Sequence, residues 1–146
     1  MSFAIDVARY AEKVGKSVPD TMRGIALDLF ESTIKDTPSE QGTARGNWQT
    51  SIGSPKTGVT ARTGDSGSIA ELKSVLPRFG NDNTIYLANN LPYIWTLEYG
   101  GYGRGDGATN KTTRDGYSIQ APYGMVRVNA ARIQSIVAKA VRDNKV

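Results

Sequence analysis

The chain has 146 residues, of which 38% are hydrophobic, and a formal net charge of +4. It contains no cysteine and no histidine, which excludes disulfides, thiolate nucleophiles and histidine bases, and disfavours nearly every transition-metal site. The length predicts a single domain over residues 1–146, and no apolar run approaches the roughly 20 residues that cross a bilayer. The first residues lack the basic and apolar regions of a signal peptide, so we expect neither a leader nor a membrane partner.

Helical periodicity predicts two helices in the N-terminal third of the chain. The first extends from a cap at Ser2 to Gly15, with apolar residues at helical spacing. The second extends from about Val18 to Asp36. It ends at Thr37-Pro38, because proline pushes the residue before it out of the α region.

A strand is predicted at residues 47–53, after a turn-rich bridge over residues 37–46. Within it Trp48, Thr50 and Ile52 alternate with polar residues, a pattern typical of a strand that is buried on one face. We therefore assign Trp48 to the hydrophobic core.

The composition of residues 54–67, which are rich in Gly, Ser, Thr, Lys and Arg, predicts the first of two long loops. This segment is either a flexible loop or an extended hairpin arm. Ser68, followed three residues later by Glu71, has the spacing of a capping box at a helix N-terminus. That helix should end before Pro77, and the strand-like run at 84–88, TIYLA, predicts a second strand.

Residues 91–100 hold one of the two tryptophans and two of the seven tyrosines. Pro92 suits the first turn of a short helix there, since its missing N–H is not needed at that position. A helix that is apolar nearly all round has to be covered on more than one side. Either the chain's own core covers it, or part of its aromatic surface meets a neighbouring subunit, because Tyr and Trp are favoured interface residues.

Residues 100–117 predict the second long loop, which is rich in glycine but matches no nucleotide-binding glycine motif. A short edge strand at 116–119 and a final helix from about Met125 to Asp143 should follow. The predicted apolar stripe of that helix comprises Val126, Ala130, Ile133, Val137 and Ala140. The order of elements predicts an α+β fold, with a small, mostly antiparallel sheet packed by the N-terminal and C-terminal helices.

The net positive charge lies at the C-terminal end, where residues 121–146 carry the +4 and the remainder of the chain sums to zero. A basic last helix could face phosphate, but cations near a helix C-terminus are also favoured by the helix dipole and usually form a solvated face. Asp106 and Asp115 could form a catalytic carboxylate pair, although turn aspartates in a glycine-rich loop are the ordinary explanation. We predict no enzyme activity, and no catalytic, cofactor-binding or metal-binding residue.

The order of several segments resembles a known family. A helix closing on Thr37-Pro38 is followed by residues 42–48, GTARGNW, and later by residues 85–90, IYLANN. Residues 93–100, YIWTLEYG, and a helix opening with APYGMVR at 121–127 complete the set. In these parts, roughly residues 17 to 142, the chain resembles the small neck and tail-completion proteins of long-tailed bacteriophages, including the minor tail protein Z-like group.

This resemblance implies a virion structural protein at the head-proximal end of the tail, assembled in the host bacterial cytoplasm. Such proteins form homo-oligomeric rings, commonly hexameric, which complete the tail and help join it to the capsid connector. The implied partners are tail-tube and neck proteins, with genome DNA passing through the lumen without specific binding, and no cofactor is implied. The candidate subunit-interface residues are Trp95, Tyr99, Tyr102, Arg104 and Arg114. The alternative function is a small DNA-binding protein that uses the basic C-terminal helix.

Overall fold

A computed structural model describes residues 8–12, 15, 17–38, 42–80, 82–99 and 124–143, of which 96 and 139–143 are described by their backbone alone. Its elements are α1 (Val18–Asp36), α2 (Thr43–Gly46), β1 (Gln49–Ile52), α3 (Ser66–Val75), a 3₁₀ turn (Leu76–Arg78), β2 (Ile85–Ala88), α4 (Ile94–Tyr99) and α5 (Val126–Asp143). Residues 8–12 are helical as well. The fold is α+β, as predicted, with helices packed against an antiparallel pair of strands.

Helix α1 begins and ends where local chemistry predicts. Its cap is Ser17, whose hydroxyl oxygen accepts a hydrogen bond from the Asp20 N–H at 3.2 Å, and Pro19 occupies the first turn. At the other end Thr37 has an extended conformation (φ −67°, ψ 131°), as expected for a residue before proline. Both predicted bounds are confirmed.

Strand β1 pairs with β2 so that Gln49 lies opposite Ala88 and Ile52 opposite Ile85. The prediction that β1 is buried on one face only is wrong, because Gln49, Thr50 and Ser51 are all buried.

Two of the three buried polar side chains of β1, Gln49 and Ser51, have hydrogen-bond partners in the segment that follows the strand, whereas the buried hydroxyl of Thr50 has no partner among the described residues. The Gln49 amide donates to the carbonyl of Gly58 at 2.7 Å, and the Ser51 hydroxyl donates to the carbonyl of Ser54 at 2.6 Å. Burial of a polar group is tolerated when such a bond replaces its bonds to water. The period of the sequence alone does not reveal these partners.

The hydrophobic core lies between α1, α3 and the start of α5. Its buried members are Ala26, Ile34, Trp48, Leu72, Leu76, Phe79 and Met125. Trp48 is in the core as predicted, with 5% of its surface exposed. Its indole N–H donates to the Thr37 hydroxyl oxygen at 2.7 Å, and that hydroxyl donates to the Thr33 carbonyl at 2.7 Å. The polar atom of the buried ring is therefore satisfied.

The predicted capping box at Ser68 is wrong. Helix α3 begins at Ser66, and Ser68 lies fully buried in its first turn, where its hydroxyl donates to the Arg45 carbonyl at 2.7 Å. Glu71 instead accepts a hydrogen bond from the backbone N–H of Thr50 at 2.9 Å. Both side chains have tertiary partners, which replace the local bonds that the spacing suggests. The α-helix ends before Pro77, as predicted, and Pro77 itself lies in the 3₁₀ turn.

Residues 53–65, which we call the strap, have no regular secondary structure, and the predicted loop therefore ends two residues before position 67. The strap is tied to the α2–β1 region through its even-numbered residues. The Thr60 N–H donates to the Asn47 side-chain oxygen at 2.8 Å, and the Arg62 guanidinium donates to the carbonyls of Gly46 and Trp48. Its flexibility stays a prediction. The second predicted loop, 100–117, and the predicted strand at 116–119 lie outside the described residues.

Helix α5 confirms only part of its predicted stripe. Ile133 and Val137 are buried and Ala130 is half-buried, but Val126 is exposed, and the side chain of Ala140 is not described. Asn129 takes a buried position instead. Its amide donates to the Asp36 carboxylate at 2.9 Å and to the Met125 carbonyl at 2.7 Å, which links α5 to the end of α1.

Candidate interaction surface

Helix α4 divides its side chains between the core and the surface. Ile94 and Leu97 pack against the hydrophobic core. Trp95 and Tyr99, four residues apart and so on one helical face, are 69% and 48% exposed. The interpretation that the chain's own core covers these two aromatic side chains is therefore wrong. They are available to another molecule.

Trp95, Tyr99 and Arg127 form a stack that we call the aromatic platform. The rings of Trp95 and Tyr99 lie with their centroids 4.5 Å apart and their planes at 27°. The guanidinium carbon of Arg127 lies 4.1 Å from the centroid of the Tyr99 ring, within the range of a cation–π contact. The ring of Tyr99 is thus in contact with both Trp95 and Arg127, which restricts its rotation.

Glu98 joins the aromatic platform to the N-terminus of α5. One carboxylate oxygen accepts the backbone N–H groups of Met125 at 2.8 Å and Val126 at 2.7 Å. The other accepts the backbone N–H of Arg127 at 3.0 Å and its guanidinium at 2.8 Å. The Arg127 guanidinium also donates to the Glu98 carbonyl at 2.6 Å. A carboxylate here satisfies N–H groups that a helix start leaves unpaired and interacts favourably with the helix dipole.

Gly124 allows this close approach. It has φ +86°, a left-handed conformation that glycine adopts without strain, and a Cβ at this position would collide with the carbonyl and carboxylate oxygens of Glu98. Position 124, which precedes the first capped N–H group, therefore requires a residue without a Cβ that adopts the left-handed conformation, which is glycine.

Glu98 is a structural centre that is not among the residues predicted from the sequence. It is the sole charged residue between positions 91 and 100, within a run that is otherwise apolar or uncharged. A charged side chain in such a run is buried only if it is paired, so the isolated charge of Glu98 is the feature of the sequence that indicates a paired, buried carboxylate. The identity of its partner was not available, because the bonded residues are 27 to 29 positions away.

Burial raises the pKa of Glu98, but the hydrogen bonds from the backbone of Met125 and Val126 and from Arg127 outweigh it, so the pKa lies below its ordinary value. A carboxyl group with a lowered pKa stabilises the folded state above its unfolded-state pKa. That stabilisation is lost as the pH falls through the folded-state pKa.

We therefore expect the difference in unfolding free energy between the native chain and Glu98→Gln to shrink on acidification from about pH 6 to about pH 3. Urea unfolding at a series of pH values measures it. Asp28→Asn provides the comparison at a second carboxyl group whose pKa is lowered. At Asp28 the hydrogen bond from Arg132 lowers the pKa despite partial burial of the carboxyl group. A Glu98→Gln difference that stays constant over this range would contradict the assignment of Glu98 as the charged cap.

The cations of α5 that the structure describes are paired with acids. Besides Arg127 with Glu98, the Arg132 guanidinium lies 2.9 Å from the Asp28 carboxylate. The side chains of Lys139 and Arg142 are not described. Two charges of the predicted basic helix are therefore already partly neutralised, which weakens the attraction of this helix for phosphate.

Three of the five predicted interface residues, Tyr102, Arg104 and Arg114, lie outside the described residues, as do Asp106 and Asp115. The structure brings the other two, Trp95 and Tyr99, together in the aromatic platform.

Within the described ranges no group of acidic side chains could hold a metal ion, and no helix is long and apolar enough to cross a bilayer. Comparison of the chain with protein-family models, curated proteins and solved structures finds no match.

Proposed function

We propose that this protein is a structural subunit of a phage virion, which forms a closed ring at the head-proximal end of the tail. The observation that carries the proposal is the aromatic platform. Trp, Tyr and Arg are the residues that dominate the energetics of protein interfaces, and here all three are stacked at the surface. Since the Glu98 cap and the stacking already hold Tyr99 and Arg127, little side-chain entropy is left to lose on binding.

The resemblance to tail-completion proteins supports the particular kind of assembly. The two segments that carry most of it have distinct positions in the fold. The first, residues 37–48, ends at the core tryptophan Trp48, whereas the second, residues 89–100, contains Trp95 and Tyr99 of the aromatic platform. In this proposal the ring completes the tail, contacts tail-tube and neck proteins, and lets genome DNA pass without specific binding.

The ion pairs of α5 favour assembly over DNA binding. Binding of DNA without sequence preference depends on cations that are free to replace the counterions of phosphates. Arg127 and Arg132 instead have carboxylate partners at 2.8 and 2.9 Å. A protein surface, rather than a phosphate backbone, is the better match for an aromatic platform whose one cation is already paired.

The test is the mass of the purified protein in solution across a range of concentrations, measured by light scattering behind a sizing column. We expect a closed oligomer for the native chain and smaller species for Trp95→Ala and Tyr99→Ala. Val59→Ala is the matched control, because Val59 is 63% exposed on the strap and takes no part in the aromatic platform, and it should assemble like the native chain. A native chain that remains monomeric and binds random DNA with a steep salt dependence would replace this proposal with the DNA-binding alternative.

A further inference from the structure

An open groove lies between α1 and α5, which we call the α1–α5 groove. Its apolar floor is formed by Ile25 of α1 and by Ile133 and Val137 of α5, and Tyr10 of the helical residues 8–12 also lines it. Asp20 and Asp28 of α1 lie along it, and the groove has a volume of about 260 Å³.

The α1–α5 groove is open because α1 has a glycine where a side chain would otherwise fill it. A Cβ built at Gly24 would meet no atom within 4 Å. On the opposite side Ile136 remains 47% exposed, although it lines the groove. The side chain of Ile136 is therefore only partly packed within its own chain, because Gly24 provides no side chain to cover it.

We propose that the α1–α5 groove receives the Trp95 side chain of a neighbouring copy of this chain, an inference that rests on the proposed ring. Pockets for small-molecule ligands usually measure about 300–1,000 Å³, so a smaller groove suits one large side chain better. Trp95 is the most exposed of the large hydrophobic side chains that the structure describes, at 69%. The occupant and its receptor are thus both found on the described surface.

The polar groups of the two surfaces are complementary. A buried indole N–H needs an acceptor, and the carboxylates of Asp20 and Asp28 lie at the groove. Each of them already accepts from an arginine of its own chain, Arg23 or Arg132, but a carboxylate has room for further hydrogen bonds.

The aromatic platform and the groove are separate surfaces of one chain. Arg127, at the aromatic platform, and Ile136, in the groove, are nine residues apart on α5, a rise of roughly 13 Å along a continuous helix. Trp95 is 69% exposed, so it does not fill the groove of its own chain. A contact between two different patches is heterologous, and its repetition closes into a ring when the rotation between subunits allows.

Two variants test the contact from its two sides. Trp95→Ala removes the inserted side chain, and Gly24→Leu fills the groove. Gly24→Leu should fold normally, because its Cβ has free space and leucine favours a helix over glycine by roughly 1 kcal/mol. We expect each variant alone to lose assembly. An equimolar mixture should form a 1:1 dimer and nothing larger, because only one pair of intact surfaces remains.

Gly24→Ala is the matched control, because a methyl group leaves most of the groove open, and it should assemble like the native chain. Full assembly of Gly24→Leu, together with loss of assembly by Trp95→Ala, would overturn the groove as the receptor while leaving the proposed ring in place. The absence of a dimer in the mixture would also overturn it.

A photo-crosslink identifies the receptor directly, even if assembly in solution is weak. p-Benzoylphenylalanine at position 95 of the full chain should crosslink to peptides that contain Ile25 or Ile136 of a second molecule. Crosslinks only to other peptides, or no crosslink in concentrated protein, would overturn the inference. The Gly24→Leu change combined with the photoreactive residue should abolish the crosslink.

Discussion

Replacing Trp48 with alanine should lower the free energy of unfolding by about 3–5 kcal/mol, whereas the same replacement at Trp95, which loses only the stacking on Tyr99, should lower it by about 1 kcal/mol. Trp48 is 5% exposed and packs with the core that α1, α3 and Met125 form. Its removal leaves a cavity and takes the indole N–H away from the buried hydroxyl of Thr37. Trp95 buries little surface in the single chain, so its loss leaves no cavity.

Urea unfolding, followed by circular dichroism at a concentration low enough for the chain to be monomeric, measures both effects. The Trp95→Ala variant serves as the control for the loss of an indole side chain in itself. Equal slopes of unfolding free energy against urea concentration would show that the unfolded states of the two variants are comparable. Equal destabilisation by the two changes would contradict the packing of Trp48, the exposure of Trp95, or both.

Replacing Glu98 with alanine should lower the free energy of unfolding by about 2–4 kcal/mol, because several hydrogen bonds to one charged group are lost together. The N–H groups of Met125 and Val126 lose their acceptor at the start of α5, and Arg127 loses its carboxylate partner. Glu98→Gln keeps acceptor capacity without the charge and should have a smaller effect. Calorimetric melting and urea unfolding at neutral pH provide the measurement.

Glu31→Ala is the matched control for Glu98→Ala. Glu31, which is half-buried, pairs at 3.0 Å with Lys35 four residues along α1, and such a pair contributes no more than about 0.5 kcal/mol. A loss at Glu98 as small as that at Glu31 would mean that Glu98 does not cap α5. Since the Glu98 cap also holds Arg127 against Tyr99, Glu98→Ala should weaken assembly at concentrations where the folded chain is still fully populated.

The tail-completion proposal makes different demands on the two tryptophans. One stabilises each subunit, and the other remains free to join subunits. If assembly depends on Trp95 and stability on Trp48, folding and ring formation can be separated by single substitutions. The α1–α5 groove adds a second separable element, because Gly24 contributes almost nothing to the packing of its own chain.

The sequence by itself determined those features that depend on neighbouring residues. Ser17 and Pro19 start α1 and Thr37-Pro38 ends it, since caps and proline act within a few positions. The strand-like run at 84–88 predicts β2, and the apolar period predicts that Ile133 and Val137 are buried on α5. For these elements the local preference and the final packing agree.

Only the tertiary structure decided the features that depend on residues distant in the chain. Ser68 and Glu71 have capping-box spacing, yet they bind Arg45 and Thr50, because bonds to those groups are available only after folding. Likewise, the local pattern predicted that Trp48 is in the core but left open whether the core or a neighbouring subunit covers Trp95. Trp95 is at the surface because Ile94, Leu97 and Glu98 occupy the inward positions of α4, and Glu98 can be buried there only because the N–H groups at the start of α5 compensate its charge.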